Sequence, residues 1–502
     1  MATTYRFKNS GEQAKYERLW SIVYQGAVRL RKKAMMYFAA GSKKRIYTTR
    51  GKHVAQVAAI TKEMVKRFGG DEKAAVLMGL GHDFGHSTLA HTGEAPLGRF
   101  MLSPDEFKEW EDLRDREGFD HSKHSLRALK KKCRAADVEI DDFVANGIEA
   151  HSTGSGVKKK DAKRPVTRQL SLEAECVMRA DKIASSISDT QDMIKAGVIK
   201  SYKMPDGNLK IDENDLRECL NNPEVRKLVK LRVFDDMPSF AEKEQCAIDL
   251  LGGAEAYNEK KEEIRDKYYS RYPEFSENEI EKLVQDEVEE VIISEYLLNV
   301  GAFIQNTPGV QVERMISKIV EATFAEHNGS VVTGYRGDSY SSQLVVPKDI
   351  EAVLAAMRGL LQGKEADRSL GKEGPEVEGL VETIARYIYA HKADFENREA
   401  FQYWRTDENG KECDWKQTVA YSLAEFTDME FKEFAIGLLE KEDVREVLKH
   451  CKYRDPRDKS EKLGGMKLEY CEADFSTEEA IEAAFTVDKD RTYRKSSFEM
   501  SH

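Results

Sequence analysis

Three histidines, one aspartate and one glutamate lie within sixteen residues of this chain, in the stretch GLGHDFGHSTLAHTGE at residues 79–94. The whole chain has only 11 histidines in 502 residues, so their concentration here indicates a chemical role. Imidazole nitrogens and carboxylate oxygens together suit Mn, Fe, Zn, Ni or Mg better than a soft metal. The stretch therefore predicts part of a metal centre.

His82 and Asp83 are adjacent, and adjacent helical side chains point about 100° apart, so they share one ion only where a helix ends or loosens. Gly81 and Gly85 flank the pair and permit such an end. Two further ligands are expected from elsewhere. His53 opens an amphipathic helix, and Asp181 lies in an otherwise apolar helical run, where a buried carboxylate is costly unless a cation compensates it.

Each of these residues has a simpler interpretation, because a single histidine on an apolar helix face usually belongs to the core or the surface. The combination is harder to obtain by chance. His86, His91 and Glu94 follow the His-Asp pair, and Arg50 precedes His53. Together with His53, His82, Asp83 and Asp181, these residues favour a functional site.

The elements that position these residues are predicted to be helices. In HVAQVAAITKEMVKRFGG the apolar residues recur at helical spacing, and the glycines at 69–70 end the helix. Long charged helices, exposed and available for subunit contacts, are expected at about 255–296. The sequence predicts an all-α fold, a large helical globule with at most a minor β-hairpin or loop at 329–346 and a basic connector at 154–165.

Composition limits the class of protein further. The net charge of −11 argues against a surface that grips nucleic acid throughout. No run of about 18 apolar residues occurs, and the start of the chain lacks the apolar core of a signal peptide. The seven cysteines are scattered without a C-x-x-C pair, which predicts free thiols. We therefore expect a cytoplasmic protein with no membrane association.

Beyond these residues, the chain resembles a known family, the HD superfamily of metal phosphohydrolases, and within it the deoxyguanosine triphosphate triphosphohydrolase (dGTPase)-like dNTPases. The H…HD…D pattern is carried by His53, His82, Asp83 and Asp181. Its flanks are similar too. They are TRGKH, HDFGHSTLAHTGE, FDHSKHSLR, SLEAECVMRADKIASSISD and SLAEFTDMEFKEFA, the last with Thr427 and Asp428 in place.

The resemblance implies a role for each matching residue. The metal, Mn or Mg and otherwise Fe, Zn or Ni, would be held by His53, His82, Asp83 and Asp181. His91 and Glu94 would form the catalytic pair, and substrate would be bound by Arg50, His86, His121 and Asp189. The implied domains are an HD-type catalytic core at 1–200, a helical region at 201–440 that completes the nucleotide pocket and supplies subunit contacts, and a C-terminal extension at 441–502, partly disordered.

The implied activity is metal-dependent hydrolysis of a deoxynucleoside triphosphate, dGTP favoured, to deoxynucleoside and tripolyphosphate. The implied assembly is a homo-oligomer, with the hexamer as a common form in the family. Separately, the basic run KKKDAKR at 158–164 offers a contact for single-stranded nucleic acid as an effector, although a solvated loop is its simpler interpretation. The sugar pocket departs from the family pattern, because Ser185 replaces a tyrosine and Met36 aligns with a glutamine. Two alternatives therefore stay open. One is an HD phosphohydrolase acting on another nucleotide, such as a monophosphate or a modified dNTP, and the other is a non-catalytic protein that senses nucleotides or binds nucleic acid.

Overall fold

The structure is a computed structural model that describes most of the 502 residues. The described ranges are 10–35, 48–102, 119–150, 171–195, 199–203, 209–234, 239–329, 331, 343–367, 370–454 and 470–484. The basic connector, most of the hairpin segment, the C-terminal tail and Met36 lie outside them. Within the described ranges the predicted all-α class is confirmed.

The chain forms two compact units, each discontinuous in sequence. The first unit contains residues 1–192, 327–344 and 365–502, and the second contains residues 193–326 and 345–364. Every residue of the predicted site falls in the first unit.

The first unit is built from helices and one antiparallel strand pair, in which Cys451 pairs with Ala473. Its elements are α1 Ser10–Arg29, α2 Arg50–Phe68, α3 Glu72–Gly81, α4 Ala90–Met101, α5 His121–Ala135, α6 Asp142–Ala150, α7 Leu172–Lys195, which continues into the second unit, α15 Leu370–Ala390, α16 Lys392–Phe395, α17 Glu399–Gln402, α18 Trp415–Glu425, α19 Asp428–Leu438, α20 Glu442–Leu448, β3 Cys451–Arg454, β4 Tyr470–Ala473 and α21 Glu478–Ala484.

The second unit is also helical, with a short antiparallel strand pair in which Ser201 pairs with Ile211. Its elements are β1 Ser201–Lys203, β2 Leu209–Ile211, α8 Glu213–Leu220, α9 Pro223–Phe234, α10 Phe240–Leu251, α11 Ala254–Arg271, α12 Glu277–Ile304, α13 Pro308–Glu326 and α14 Lys348–Asp367, whose last residues belong to the first unit.

The charged segment at 255–296 is less exposed than its composition indicates. Ion pairs join α11 to α12, with Arg265 Nη2 2.9 Å from Glu281 Oε2 and Lys267 Nζ 2.8 Å from Glu287 Oε1. One face of α12 is buried along its length, through Ile280, Val284, Val288, Ile292, Tyr296, Val300 and Phe303. The expectation of an exposed helix is therefore wrong for this face of α12, since its apolar residues recur every three or four positions and meet other helices.

Helices α2 and α3 form the core that carries the predicted ligands. Phe68 is the last residue of α2, as the glycine pair predicts, and Gly69 follows in the left-handed region with φ 76°. The two helices cross closely at Gly79, where an added Cβ would lie 2.6 Å from the Cα of Ala58. This close crossing brings the end of α3, with His82 and Asp83, beside the start of α2, with His53.

No helix in the described part of the chain combines the length and the apolar character needed to cross a membrane. The cysteines whose state the structure describes are free thiols, as predicted: Cys133, Cys176, Cys219, Cys246, Cys413 and Cys451.

Candidate metal centre and adjoining histidine cluster

The first turn of α2 presents Arg50 and His53 on one face, because residues three apart are neighbours on a helix. Thr49 caps this helix, its Oγ1 accepting a hydrogen bond from the backbone N–H of Lys52 at 3.3 Å. The backbone N–H of Arg50 donates to the carbonyl oxygen of Lys33 at 2.9 Å. The start of α2 is thus fixed both by its cap and by the preceding segment.

Helix α3 ends at Gly81, and His82 and Asp83 follow in the turn, which is how two adjacent residues can face one point. The Nδ1–H of His82 donates to the carbonyl oxygen of Gly79 at 2.8 Å. This bond fixes the ring so that its Nε2 atom faces the carboxylates. Gly85 permits the turn, since a Cβ there would lie 2.7 Å from the backbone of His124.

The four predicted ligands converge. His53, His82 and Asp83 each offer a ligand atom, all within 4.8 Å of one another. Asp181 reaches the same point from α7, with its Oδ1 2.9 Å from His53 Nε2 and 3.6 Å from His82 Nε2. His82 Nε2 lies 3.7 Å from Asp83 Oδ2.

These spacings fit one divalent ion. With metal–ligand distances of about 2.1 Å, neighbouring ligand atoms stand roughly 3.0 Å apart in an octahedral site and roughly 3.4 Å apart in a tetrahedral one. Two imidazoles and two carboxylates are a donor set for Mn, Fe, Zn, Ni or Mg. His53, His82, Asp83 and Asp181 would hold such an ion.

Both carboxylates of this centre stay ionised. Burial by itself would raise the pKa of Asp83, but the charge of Arg50 and then that of His82 hold it well below its usual value. Arg50 Nη1 lies 2.5 Å from Asp83 Oδ2. Burial likewise opposes ionisation of Asp181, and hydrogen bonds with His53 and His82 keep its pKa well below the usual value. The centre therefore offers the negative charge that a cation requires.

Next to this centre lies a second group of side chains, His86, His91, Glu94 and His121, which we call the second histidine cluster. One ligand atom from each lies within 4.8 Å of the others. Glu94 joins two of the rings, with Oε2 2.9 Å from His91 Nδ1 and Oε1 2.8 Å from His121 Nδ1. His121 Nε2 is 4.0 Å from Asp83 Oδ1, so the two groups adjoin.

Charge in the second histidine cluster is unevenly distributed. Burial would lower the pKa of His121, but the neighbouring carboxylate of Glu94 raises it to about 9, so this ring is cationic at neutral pH. Burial, followed by the charge of Arg50, lowers the pKa of His86 well below its usual value, so this ring is neutral. His91 differs in exposure, since 70% of its side chain is accessible.

Several residues that support the site cannot be identified from the sequence. Lys33 is almost fully buried, and its Nζ donates to the carbonyl oxygens of His86 at 2.5 Å and of Ala424 at 2.6 Å. Burial, and then the charge of Arg29, lowers its pKa to about 7. A lysine in the basic run RLRKK gives no signal of burial, so only tertiary contacts identify it.

Asp428, matched by the resemblance alone, supports the turn that leads to His91. Its two carboxylate oxygens accept the backbone N–H groups of Ala34 and Leu89, both at 2.8 Å. Leu89 and Ala90 have φ values of 59° and 55°, a left-handed conformation that residues with a Cβ rarely adopt. Asp428 thus stabilises a strained turn immediately before α4.

We expect Asp428→Ala to destabilise the fold by roughly 2–6 kcal/mol, because two buried N–H groups lose their acceptor at about 1–3 kcal/mol each. Asp428→Asn retains one acceptor oxygen and should cost less. Urea unfolding of the two variants and the wild type measures both effects. Equal stability of all three proteins would show that the turn does not depend on this carboxylate.

The remaining predicted site residues lie further along α7. Asp189 is eight residues beyond Asp181, a rise of about 12 Å along the helix, so the structure does not bring it to the four predicted ligands. The hydroxyl of Ser185 donates to the carbonyl oxygen of Asp181 at 2.8 Å, within its own helix.

Comparison with known proteins agrees with this geometry. Residues 50–186 match the HD domain family, a range that begins at Arg50 and includes all four predicted metal ligands. The chain therefore carries an HD domain, and the resemblance inferred from the H…HD…D pattern is confirmed at that level.

The chain is also similar to proteins named deoxyguanosinetriphosphate triphosphohydrolase-like. The one from Clostridium tetani is 32% identical over 160 residues, which are 32% of this chain and 40% of that protein. The one from Brucella anthropi is 32% identical over 173 residues, 30% of this chain and 40% of that protein. The chain thus spans about 40% of the length of these curated relatives.

Proposed function

We propose that this protein is a metal-dependent phosphohydrolase that cleaves a deoxynucleoside triphosphate, dGTP first, into deoxynucleoside and tripolyphosphate. The observation that carries the proposal is the junction of two groups: a four-ligand centre of His53, His82, Asp83 and Asp181, and a histidine cluster 4.0 Å from it. The names of the similar proteins support dGTP as the first substrate to test.

The cationic groups suit a triphosphate. Arg50 is buried beside the ligands, and its Nε has no hydrogen-bond partner among the described residues, so it can donate to a phosphate oxygen. His121 carries positive charge at neutral pH, and its Nε2 atom lies 4.0 Å from the Asp83 carboxylate. His86 adds an imidazole whose Nε2 also lacks a partner in the described part of the chain. These three residues would bind and orient the phosphates.

Proton transfer is assigned to His91. Glu94 fixes the ring through Nδ1, which leaves Nε2 to exchange a proton near the scissile bond. Its exposure allows substrate to reach it. A divalent ion, when bound, would activate the attacking water and neutralise developing charge. The site residues then supply phosphate binding, orientation and proton transfer at the α-phosphorus.

The choice of sugar in the substrate is the part of the proposal for which the structure offers a second candidate. The Ser185 hydroxyl is bonded to its own helix and is too small to pack on a deoxyribose as a tyrosine would. Asp189, further along α7, would bind the 3′-hydroxyl. This observation favours, as a second candidate, an HD phosphohydrolase of another nucleotide, either a monophosphate or a modified dNTP.

A panel of dNTPs, NTPs and monophosphates with Mn²⁺ or Mg²⁺, with the products identified, tests both candidates. Equimolar deoxynucleoside and tripolyphosphate would support the first. Release of orthophosphate, or turnover of a monophosphate alone, would favour the second. Asp83→Asn protein purified in parallel controls for contaminating phosphatases. Tight nucleotide binding without turnover under any divalent metal would support a sensing role.

The homo-oligomer, with a hexamer as the form expected from the family resemblance, and the single-stranded nucleic-acid effector, based on the basic run at 158–164, stay predictions. Light scattering on the 57.1 kDa chain at micromolar concentration tests the first of them.

A further inference from the structure

The second histidine cluster, consisting of His86, His91, Glu94 and His121, is unusual for a pure phosphate-binding site. Cationic arginine or lysine side chains are the common phosphate ligands, whereas three imidazoles around one point are a common metal-binding arrangement. The ligand atoms of the cluster lie within 4.8 Å of one another.

The ring positions agree with three imidazoles on one ion. The ring centroids of His86 and His91 are 5.0 Å apart, those of His86 and His121 are 4.6 Å apart, and those of His91 and His121 are 5.3 Å apart. For nitrogen atoms about 2.0–2.1 Å from a tetrahedral ion, each centroid lies roughly 3.2 Å from the ion, and the centroids stand roughly 5 Å apart. The three rings are thus arranged at the expected separation.

Glu94 orients two of these rings for coordination. Its oxygens accept from Nδ1 of His91 at 2.9 Å and from Nδ1 of His121 at 2.8 Å, which leaves the Nε2 atoms as the ligands. A carboxylate that holds the far nitrogen of a metal-bound imidazole is the usual outer-shell arrangement. Glu94 would therefore act here as a positioning residue.

His86 supplies an independent observation. Its ring is fully buried, and its Nε2 atom has no hydrogen-bond partner among the described residues. Its Nδ1 lies 3.3 Å from the carbonyl oxygen of Ser87. The ring is therefore oriented by its Nδ1 atom, and the Nε2 atom is available to a ligand. A buried polar atom without a partner is costly, and a bound ion would remove that cost.

We propose that the second histidine cluster binds a second divalent transition-metal ion of the Zn²⁺ and Co²⁺ class through His86, His91 and His121, with Glu94 positioning the last two. Imidazole donors favour these ions over Mg²⁺, which requires oxygen ligands. The two ions would then be selected differently, because only the centre of His53, His82, Asp83 and Asp181 offers carboxylates directly.

One consequence rests on the proposed function. If His91 transfers a proton and His86 and His121 bind phosphate, an ion held by these rings competes with the nucleotide. Excess Zn²⁺ should then inhibit hydrolysis supported by Mg²⁺, and His91→Ala should bind Zn²⁺ too weakly at this cluster to show the same response in its residual activity.

Titration of the chelator-treated full chain with Co²⁺ at pH 8 tests the site without any nucleotide, and bound Co²⁺ would displace the proton that His121 carries at this pH. We expect two Co²⁺ per wild-type chain, followed by visible absorption and by metal analysis after dialysis. Asp83→Asn should lose one equivalent. His91→Ala should weaken the other at least about tenfold, since even outer-shell partners are worth 10–100-fold in affinity.

His450→Ala is the matched control, because His450 is exposed, lies outside both groups and pairs with Glu472 at 3.1 Å. It should bind as the wild type does. A single Co²⁺ in the wild type, or two equally tight equivalents in His91→Ala, would overturn the proposal. Two equivalents with the expected variant pattern in a protein that hydrolyses no nucleotide would leave the metal site standing and reject the proposed function.

Discussion

Asp83→Asn is expected to lose the bound ion and about 10³-fold or more of the turnover of the wild type. The carboxylate contributes negative charge beside the Nε2 atom of His82, 3.7 Å away, and an amide cannot replace an anionic ligand. A catalytic ion supplies several kcal/mol of transition-state stabilisation, and about 4 kcal/mol corresponds to roughly 10³-fold in rate. Metal analysis and kcat on one preparation measure both losses.

Asparagine is the better substitution here because of Arg50. That guanidinium is buried and lies 2.5 Å from the Asp83 carboxylate, so Asp83→Ala would leave a buried charge without its partner at a cost of about 3–5 kcal/mol. Asparagine keeps an acceptor oxygen for Arg50. Asp266→Ala, at an exposed position of α11, controls for loss of a negative charge. Normal metal content in Asp83→Asn would remove Asp83 from the centre.

The sequence was sufficient for the parts of the structure that local periodicity determines. Helix α2 ends where its glycine pair predicts. Helix α3 ends at Gly81, which allows the adjacent His82 and Asp83 to face one point. The meeting of His53 with Asp181, 128 residues later, was expected from the family resemblance and from the cost of a buried carboxylate. Hydrophobic spacing alone contains no information on which helices meet.

The supporting network could not be predicted, because it is made of long-range polar contacts. Arg29 on α1 forms an ion pair with Glu425 at the end of α18, and Glu425 Oε1 lies 3.7 Å from His124 Nε2. Burial opposes ionisation of Glu425, but Arg29 keeps its pKa below the usual value. Nothing in the local pattern of these residues indicates burial, since each lies in a segment of ordinary charge.

The same limit applies to Lys33 and to the division of the chain. The ammonium of Lys33 links the carbonyls of His86 and Ala424, which are 338 positions apart in the printed sequence. A compact unit assembled from three separate ranges cannot be derived from composition shifts along the chain. The metal ligands can be identified from the sequence because histidine and aspartate are distinctive residue types in an apolar helix. The residues that hold the ligands in place have ordinary types and positions, so the sequence does not identify them.

His91→Ala is expected to keep the ion held by His53, His82, Asp83 and Asp181 and to lose about 10²–10⁴-fold in kcat. Loss of a general acid or base typically costs that factor. The side chain is 70% exposed, so its removal leaves no buried cavity, and Glu94 retains its bond with His121 at 2.8 Å. The melting temperature and the affinity for dNTP should therefore change little. Kinetics with Mg²⁺ as the only metal measure the effect on proton transfer.

Two further measurements separate proton transfer by His91 from a packing role. Added imidazole should restore part of the lost rate, because the exposed position leaves room for a free imidazole to replace the missing ring. His450→Ala, another exposed histidine that pairs with a glutamate, should turn over as the wild type does. A lower melting temperature with unchanged turnover would indicate packing. Near-native turnover in a stable His91→Ala protein would move the acid or base to His86 or His121, the other two rings of the cluster.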